Sequence, residues 1–240
     1  TYSFVSHNCS SAIEGLLKTT NPVFEFDRIK PFTTPVEYAQ FLHKQGKIKS
    51  VSYIRAPAQK EKPVKNILTA APPSRMAIDT GFIEFAPVYQ DLRTVSDAYN
   101  TELETKMLSV RFDTKKGRWD KLDLLKLFSI QSVSKYLRIG WESGGVAEAG
   151  IGGGVTKNGF SAYILPTVGA RDSAFFAGVK SGTVLRYADK AKLIVSYEAA
   201  TDKTHFTAYA GVKVYSNTEI YVQYEHSRSD KTVAGLAVYF

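Results

Sequence analysis

The chain is poor in cysteine, methionine and histidine, and this scarcity excludes several kinds of functional site. Its 240 residues include one cysteine, Cys9, two methionines and four histidines. A single cysteine excludes an internal disulfide and a cysteine-based metal cluster. The four histidines show no metal-ligand spacing such as HExxH. We therefore expect no metal and no cofactor.

Long hydrophobic runs and targeting signals are also missing. The sequence contains no run of 18 apolar residues, so no helix is expected to span a membrane. Neither an initiator methionine nor a signal-peptide pattern stands at Thr1. We expect the chain to be a fragment or a processed product, with the true amino terminus upstream.

The formal net charge is +8, which leaves two interpretations open. Lysines and arginines are scattered, with small clusters in the ranges 44–49, 60–65 and 115–118. None is interleaved with base-stacking aromatic residues, and no nucleic-acid motif occurs, so we expect no nucleic-acid partner. The basic residues belong either to solvated turns and a linker or to a surface that contacts anionic lipid headgroups.

Residues 1–54 have the pattern of a small α/β segment. Ser11, with a glutamate three residues later, matches a capping box and predicts a helix that runs to about Lys18. Thr34, followed directly by proline, predicts a second helix. This helix should run to about residue 45, with Gly46 just beyond its end.

The first segment is expected to end in a short strand over residues 48–54. The composition then changes, because residues 55–75 are charged and punctuated by prolines. Such a stretch is typical of a linker between domains.

From residue 76 to residue 240 the hydrophobic period changes to two, which is typical of β-strands. About a dozen such segments are separated by turn residues, as in an antiparallel meander. The last ten residues, 231–240, alternate in the same way and end on Phe240, which resembles the closing strand of bacterial outer-membrane barrels. The predicted fold class is mainly β, with an antiparallel transmembrane β-barrel of about 10–12 strands.

Some segments leave alternatives open. Leu122–Ile130 carries a Leu-Leu-Lys-Leu-Phe run that fits a strand or a helix. Ala174–Lys180 and Thr183–Tyr187 are predicted as two strands, separated by a turn at Ser181-Gly182.

The soluble alternative to a membrane barrel is a sandwich or a lipocalin-like barrel, which also alternates. A soluble barrel hides its apolar face and needs bulky residues there. In the last strands the polar face carries Thr, Tyr, Gly, Lys, Gln and Glu, which suits a hydrated lumen. The other face is aliphatic with phenylalanine, and this favours lipid contact and a membrane barrel.

Several charged side chains are expected to project into the lumen. They form ion-pair ladders or a selectivity lining, or they are a plain polar lining of a narrow, filled barrel. The Gly150–Gly154 segment lacks the Lys-Ser/Thr pair of a phosphate loop, so we interpret its glycines as points of close approach within a strand. The charged candidates are Glu198, Glu225, Lys192, Lys213, Arg186 and Arg138.

Cys9 is the residue with the clearest chemical potential. Free N–H groups and the helix dipole at the start of the first helix would lower the pKa of its thiol, as a nucleophile requires. The alternative is a small buried cysteine without a catalytic role. His7, two residues earlier, is a weaker candidate for its base.

The segment Tyr2–Ile13, with the helix that starts after Thr34 and the Pro-Pro-Ser-Arg stretch at 72–75, resembles bacterial proteins with an Lnb-type amino-terminal periplasmic domain. That domain is similar to permuted papain-like, or NlpC-like, thiol enzymes, and the family includes a lipoprotein N-acyltransferase. The resemblance implies that Cys9 is the catalytic nucleophile and that Asn8 orients it. The histidine of such a site would lie upstream of this chain.

The resemblance also implies a domain organisation and a location. Residues 1–54 would be the carboxy-terminal part of a periplasmic α/β domain, 55–75 a linker, and 76–240 a barrel in the bacterial outer membrane. The chain would belong to a thiol acyltransferase or an amidase- or peptidase-like enzyme. Its partners would be the lipid bilayer and lipoproteins or other envelope proteins. The alternative function is a non-enzymatic pore, or a scaffold that binds envelope proteins.

Overall fold

The computed structural model describes residues 9–19, 35–50, 74–90, 103–188, 190–215, 217–227 and 229–240. These form two helices, α1 (Cys9–Lys18) and α2 (Pro35–Lys44), and thirteen strands. The strands are β1 (Arg75–Asp79), β2 (Phe82–Ala86), β3 (Val88–Gln90), β4 (Leu103–Asp113), β5 (Arg118–Ser129), β6 (Val133–Trp141), β7 (Gly145–Lys157), β8 (Phe160–Arg171), β9 (Ala174–Tyr187), β10 (Ala191–Ala200), β11 (Thr204–Tyr215), β12 (Thr218–His226) and β13 (Asp230–Tyr239).

The two predicted helices are present, with one difference at a helix start. Helix α1 begins at Cys9, so Ser11 lies inside the helix and is not its N-cap. Helix α2 begins and ends within a residue of the prediction. Gly46 has φ 65°, and the amides of Gly46 and Lys47 donate to the carbonyls of His43 and Leu42, each at 2.9 Å. These two bonds form a Schellman cap, which ends the helix where the sequence predicted.

The strand predicted at 48–54 is absent from its described part, since residues 47–50 form no regular element. Residues 51–54 and most of the predicted linker lie outside the described residues. Among the described residues before 74, there are thus two helices and no strand. The α/β thiol-enzyme arrangement therefore stays a prediction. Neither described helix is long and apolar enough to cross a membrane.

The thirteen strands form one closed antiparallel barrel. Each strand from β4 to β13 pairs with the next, and β13 pairs with β1. Strands β2 and β3 both pair with β4, one at each side of Pro87. They are therefore two halves of one barrel strand, and the barrel has twelve strands. This count confirms the upper end of the predicted range.

Strand β5 resolves the helix-or-strand ambiguity, and its irregularity explains why the ambiguity arose. The β5–β6 register shifts between Asp123 and Leu125, so Leu124 is an extra residue that reverses which positions face inward. On β4, Leu108 has φ 55° and lies at the same level, because Met107 pairs with Leu125. A simple alternation of faces therefore breaks at this level of the barrel.

Strand β9 corrects a second prediction, because it is continuous from Ala174 to Tyr187. The turn expected at Ser181-Gly182 is wrong. Gly182 faces the ring of Tyr163, and a Cβ at Gly182 would lie 2.8 Å from the Tyr163 hydroxyl oxygen. The glycine makes room for a neighbouring aromatic ring instead of reversing the chain.

The two ends of the barrel differ in their connections. We call the end where β1 begins and β13 finishes the terminal end, and the opposite end the far end. All six turns at the far end are short: 80–81, 114–117, 142–144, 172–173, 201–203 and 227–229. Strand β3 ends and β4 begins at the terminal end, and residues 91–102 between them lie outside the described residues.

Candidate functional site: the barrel lumen and its outer wall

The outer face of the barrel is apolar, and this is the reverse of a soluble barrel. Along β8 the outward Ile164 and Val168 are 60% and 63% exposed, whereas the inward Ser161 and Leu165 are fully buried. The outward Val212 and Leu236 follow the same rule in later strands. This wall of aliphatic side chains has the chemistry of a lipid-facing surface.

Aromatic side chains border this apolar wall at both ends. On β9, Phe175 at the far end is 92% exposed and Tyr187 at the terminal end is 75% exposed. Twelve residues separate them, which corresponds to a height of about 30 Å for a strand tilted by about 40°. That height matches the hydrocarbon core of a bilayer. Exposed aromatic residues that share these two levels are Trp119 and Trp141 at the far end and Phe160 and Tyr215 at the terminal end.

The inner face of the terminal half is filled by side chains. Inward residues of most barrel strands pack there into one buried cluster. Phe128 and Tyr163 are the central contact, with ring centroids 4.7 Å apart and an interplanar angle of 71°. Phe128 also contacts Tyr136, at 6.1 Å. Among the described residues, this packing places aromatic and aliphatic side chains across the inner face of the terminal half.

A buried arginine anchors the same region. Arg75 is 1% exposed, and its Nη1 lies 3.4 Å from Glu84 Oε2. Its guanidinium lies 4.9 Å from the ring centroid of Tyr89 and 5.7 Å from that of Tyr221. Tyr221 is on β12, so this one side chain joins both sides of the seam where the barrel closes.

Glu219 is a second buried charge at the terminal end. It is 1% exposed and accepts a hydrogen bond from the Tyr239 hydroxyl at 2.9 Å. The Tyr209 hydroxyl also donates to this carboxylate. Because buried carboxylates require such donors, the tyrosines of β11 and β13 are structural partners of Glu219.

The lumen holds a polar cavity of about 230 Å³, whose lining extends from the terminal half to the turns at the far end. Its floor is formed by the aromatic cluster, and its walls are charged. The lining residues are Glu104, Arg111, Lys121, Lys126, Phe128, Tyr136, Arg138, Glu142, Tyr163, Lys180, Ile194, Ser196, Tyr197, Glu198, Lys203, His205, Thr207, Tyr209, Gln223 and Glu225.

The charges of this cavity are organised as ion pairs between strands. Lys180 Nζ lies 2.5 Å from Glu198 Oε2 and 3.2 Å from Glu148 Oε1. Arg138 lies 2.7 Å from Asp123 and 2.8 Å from Glu142. Each cation thus bridges two carboxylates, which favours a fixed polar wall over a surface of one charge sign.

Glu142 lies in the turn after β6, at the mouth of the cavity. Lys121, and after it Arg138, hold the pKa of Glu142 well below its usual range, against the opposing effect of burial. The carboxylate therefore stays charged at the mouth throughout the physiological pH range.

The structure brings most of the six predicted lumen charges to the inner face. Arg138, Glu198 and Glu225 line the cavity, and Lys192 is 5% exposed. Arg186 and Lys213 are half-buried at the terminal end. Sequence reasoning missed other inward charges, which follow the same alternation within strands: Glu84, Glu104, Lys106, Asp123, Glu148 and Lys180.

The glycine-rich segment of β7 behaves as predicted. A Cβ at Gly152 would lie 2.5 Å from the Cα of Leu165 on the neighbouring strand. The site predicted at Asn8 and Cys9 shares no residue with the described lining of the cavity. Cys9 is the first residue of α1, and Asn8 lies outside the described residues, so their catalytic roles stay a prediction. No group of three metal-ligating side chains occurs in the described part of the chain.

No family model matches the sequence, and no curated protein matches it either. Several solved outer-membrane barrels are similar to it. One is the KdgM porin in complex with disordered oligogalacturonate, 8% identical, covering 70% of this chain and 97% of that chain with a TM-score of 0.49. The NanC porin is 7% identical over 70% and 98% of the two chains, with a TM-score of 0.45. OmpT of Vibrio cholerae is 10% identical over 66% and 64%, with a TM-score of 0.33.

Proposed function

We propose that the chain is a non-enzymatic β-barrel of the bacterial outer membrane, with a narrow lumen that admits small polar or charged solutes. The observation that supports this proposal most is that the side chains of the closed barrel are distributed in the reverse of the way found in a soluble barrel. Apolar residues cover the outside, and buried ion pairs line the inside. A closed barrel satisfies every backbone hydrogen bond, which is what a strand-built protein needs in lipid.

The proposed pore is closed at its terminal end by Phe128 and Tyr163, so conduction depends on these rings. We expect the full chain to show small, rare openings in a planar bilayer. The double variant Phe128→Ala, Tyr163→Ala removes the two rings that contact each other across the lumen, and its single-channel conductance should be severalfold higher. Urea resistance of the inserted barrel checks that the variant has folded.

The matched control moves both substitutions by one residue, to the opposite face of the same strands. Leu127→Ala with Ile164→Ala removes similar apolar volume from the outer wall and should leave the conductance unchanged. Equal conductance of the wild type and the double variant of Phe128 and Tyr163 would contradict the proposed pore. Recovery of the wild type in the soluble fraction without detergent would contradict the membrane location.

A second candidate function keeps the predicted thiol chemistry of Cys9. The observation in its favour is that α1 begins at Cys9, where unpaired backbone N–H groups stabilise a thiolate. In a full-length protein that carries an upstream histidine, this histidine would take the Cys9 proton and the thiolate would attack an acyl carbonyl. The bond from the carbonyl carbon to its alcohol or amine group would break, the histidine would return the proton to that leaving group, and a thioester would form. A thiol-reactive acyl probe should then label the wild type and fail to label Cys9→Ser. Absence of labelling in the full-length wild type would end this candidate.

A further inference from the structure

One lysine of the lumen contacts side chains from three strands other than its own. Lys180 is an inward residue of β9 and lines the cavity. Its Nζ lies 2.5 Å from Glu198 Oε2 on β10 and 3.2 Å from Glu148 Oε1 on β7. The same ammonium group lies 4.8 Å from the ring centroid of Tyr136 on β6. Two carboxylates and the face of a tyrosine ring thus surround one cation, and each of these groups attracts positive charge.

The order of the strands places the Lys180 ammonium group inside the lumen. Strand β8 lies between β7 and β9, and its Leu165 is directly opposite Lys180 in the ladder. The lysine side chain therefore extends past β8 to reach β7 and β6, while it also contacts β10. Because the wall of a closed barrel is curved, an atom that contacts strands on both sides of β8 and β9 is displaced from the wall toward the barrel axis. The ammonium group thus lies on the path of a solute through the cavity.

The carboxylate of Glu148 depends on Lys180 for its compensating charge. Glu148 is 3% exposed, and Lys180 is the only cation within 4 Å of it among the described residues. The Tyr136 hydroxyl also donates to its Oε2, at 3.2 Å. Arg138 is directly opposite Glu148 in the β6–β7 ladder, but its guanidinium pairs with two other carboxylates. A buried carboxylate requires a cation, and Lys180 is the one that the fold supplies.

Two other carboxylates in this part of the lumen each have two cations within 4 Å. Removal of one cation therefore leaves them paired, whereas removal of Lys180 leaves Glu148 without any. The two carboxylates are Glu104, with Lys106 and Lys126, and Asp123, with Lys121 and Arg138.

We infer that Lys180 determines the charge selectivity of the lumen, because its ammonium group is a built-in counterion in a position that an external cation would otherwise take. This inference rests on the proposed pore. While the ammonium group is in place, Glu148 and Glu198 are compensated and do not hold K⁺ between them. Without it, a hydrated cation is attracted to the two carboxylates, and the lumen becomes selective for cations, as other groups of carboxylates in channels are.

The test compares the K⁺ to Cl⁻ permeability ratios of the full chain and its variants. The ratio is obtained from the reversal potential of single openings in a planar bilayer under a KCl gradient. Lys180→Gln removes the ammonium group and keeps an amide that donates to the carboxylates, and its ratio should be severalfold higher than that of the wild type. Glu225 also lines the cavity, but it is present in every variant, so it does not affect the comparison.

The matched control is Lys203→Gln, which removes the same charge from the same cavity. Lys203 lies in the turn before β11, with its Nζ 3.5 Å from Glu198 Oε1. In this variant Glu198 and Glu148 both keep Lys180, so the permeability ratio should stay close to the wild-type value. An equal rise in both variants would show that only the net charge of the cavity matters, and this result would overturn the inference. An unchanged ratio in Lys180→Gln would overturn it too.

A reversible form of the test applies even if Lys180→Gln does not fold. The variant Lys180→Cys, in a Cys9→Ser background, reacts with aminoethyl methanethiosulfonate before folding, which attaches an ammonium group through a disulfide. Reduction of the inserted barrel by 2-mercaptoethanol then releases this group, and the permeability ratio should rise as in Lys180→Gln. Openings whose ratio does not change after the release, which mass spectrometry verifies, overturn this inference alone. Absence of openings in the wild type overturns the proposed pore as well.

Discussion

Replacing Val222 with arginine is expected to lower the free energy of unfolding in lipid vesicles by about 2–4 kcal/mol. Val222 is the middle residue of β12 and is 47% exposed on the outer wall. At that depth an arginine side chain cannot extend easily to either headgroup layer, so its charge remains in hydrocarbon. Reversible urea unfolding of the vesicle-inserted chain measures the difference.

The adjacent residue provides the control for this prediction. Gln223 is 8% exposed, lies on the inner face and lines the cavity, and its amide donates to the carboxylate of Glu225. An arginine at Gln223 would contact that carboxylate in a polar cavity, so we expect the free energy of unfolding to change by less than about 1 kcal/mol. If arginine lowers the free energy of unfolding equally at Val222 and Gln223, or more at Gln223, the assignment of the two faces is contradicted.

Removing Arg75 is the second change with a large expected effect. The variant Arg75→Ala should lower the free energy of unfolding by about 3 kcal/mol, because it removes the buried cation of an ion pair whose carboxylate, Glu84, is 16% exposed. Glu84 has a second cation, Lys106 Nζ, 3.6 Å from its Oε1, which keeps part of its charge compensated in the variant. Arg75 also packs on two tyrosine rings across the closing seam, so the seam between β1 and β13 should loosen first.

Hydrogen exchange of the β1 and β13 amides, together with urea unfolding, tests the Arg75 prediction. Arg75→Lys should recover part of the loss, since it keeps the charge and loses the planar stacking on Tyr89. Lys116→Ala serves as the control, because Lys116 pairs with Asp113 at the surface with its side chain 61% exposed, and such pairs contribute little. If Arg75→Ala lowers the free energy of unfolding no more than Lys116→Ala does, Arg75 does not anchor the seam.

The faces of the late strands could be predicted because the alternation is unbroken over β12 and over most of β11, where the register shifts only near the terminal end, between Lys213 and Tyr215. In β11 and β12 the predicted inward residues Tyr209, Tyr221 and Gln223 are buried, and the predicted outward residues Val212 and Val222 are exposed. A period of two is sufficient when each strand keeps one register from end to end.

The earlier strands show where a period of two fails. The extra residue Leu124 in β5 reverses the inward positions halfway along the strand. Local sequence does not reveal such a bulge, because its position depends on the neighbouring strands. The prediction of a turn at Gly182 failed for a similar reason. Its residue type alone suggested a turn, whereas the glycine accommodates the ring of Tyr163 from the adjacent strand.

The contacts of Arg75 and the ion pairs of the cavity could not be predicted from the sequence either. Arg75 and Tyr221 are 146 positions apart in the chain, and they meet only because β13 pairs with β1. The six charged candidates were identified by alternation alone. Their partners depend on which strands are neighbours and on the register between them, and neither can be read from a single segment.

The most direct test of the central claim, an apolar outer wall around a polar lumen, is cysteine accessibility in a Cys9→Ser background. Single cysteines at Val212 and Val222 should not react with a charged, membrane-impermeant thiol reagent. When these cysteines carry a fluorescent label attached before insertion, brominated lipid chains should quench its fluorescence. Single cysteines at Thr207 and Gln223, which line the cavity, should react with the reagent and escape the quencher. The reverse pattern, or equal reactivity at all four positions, would contradict the account.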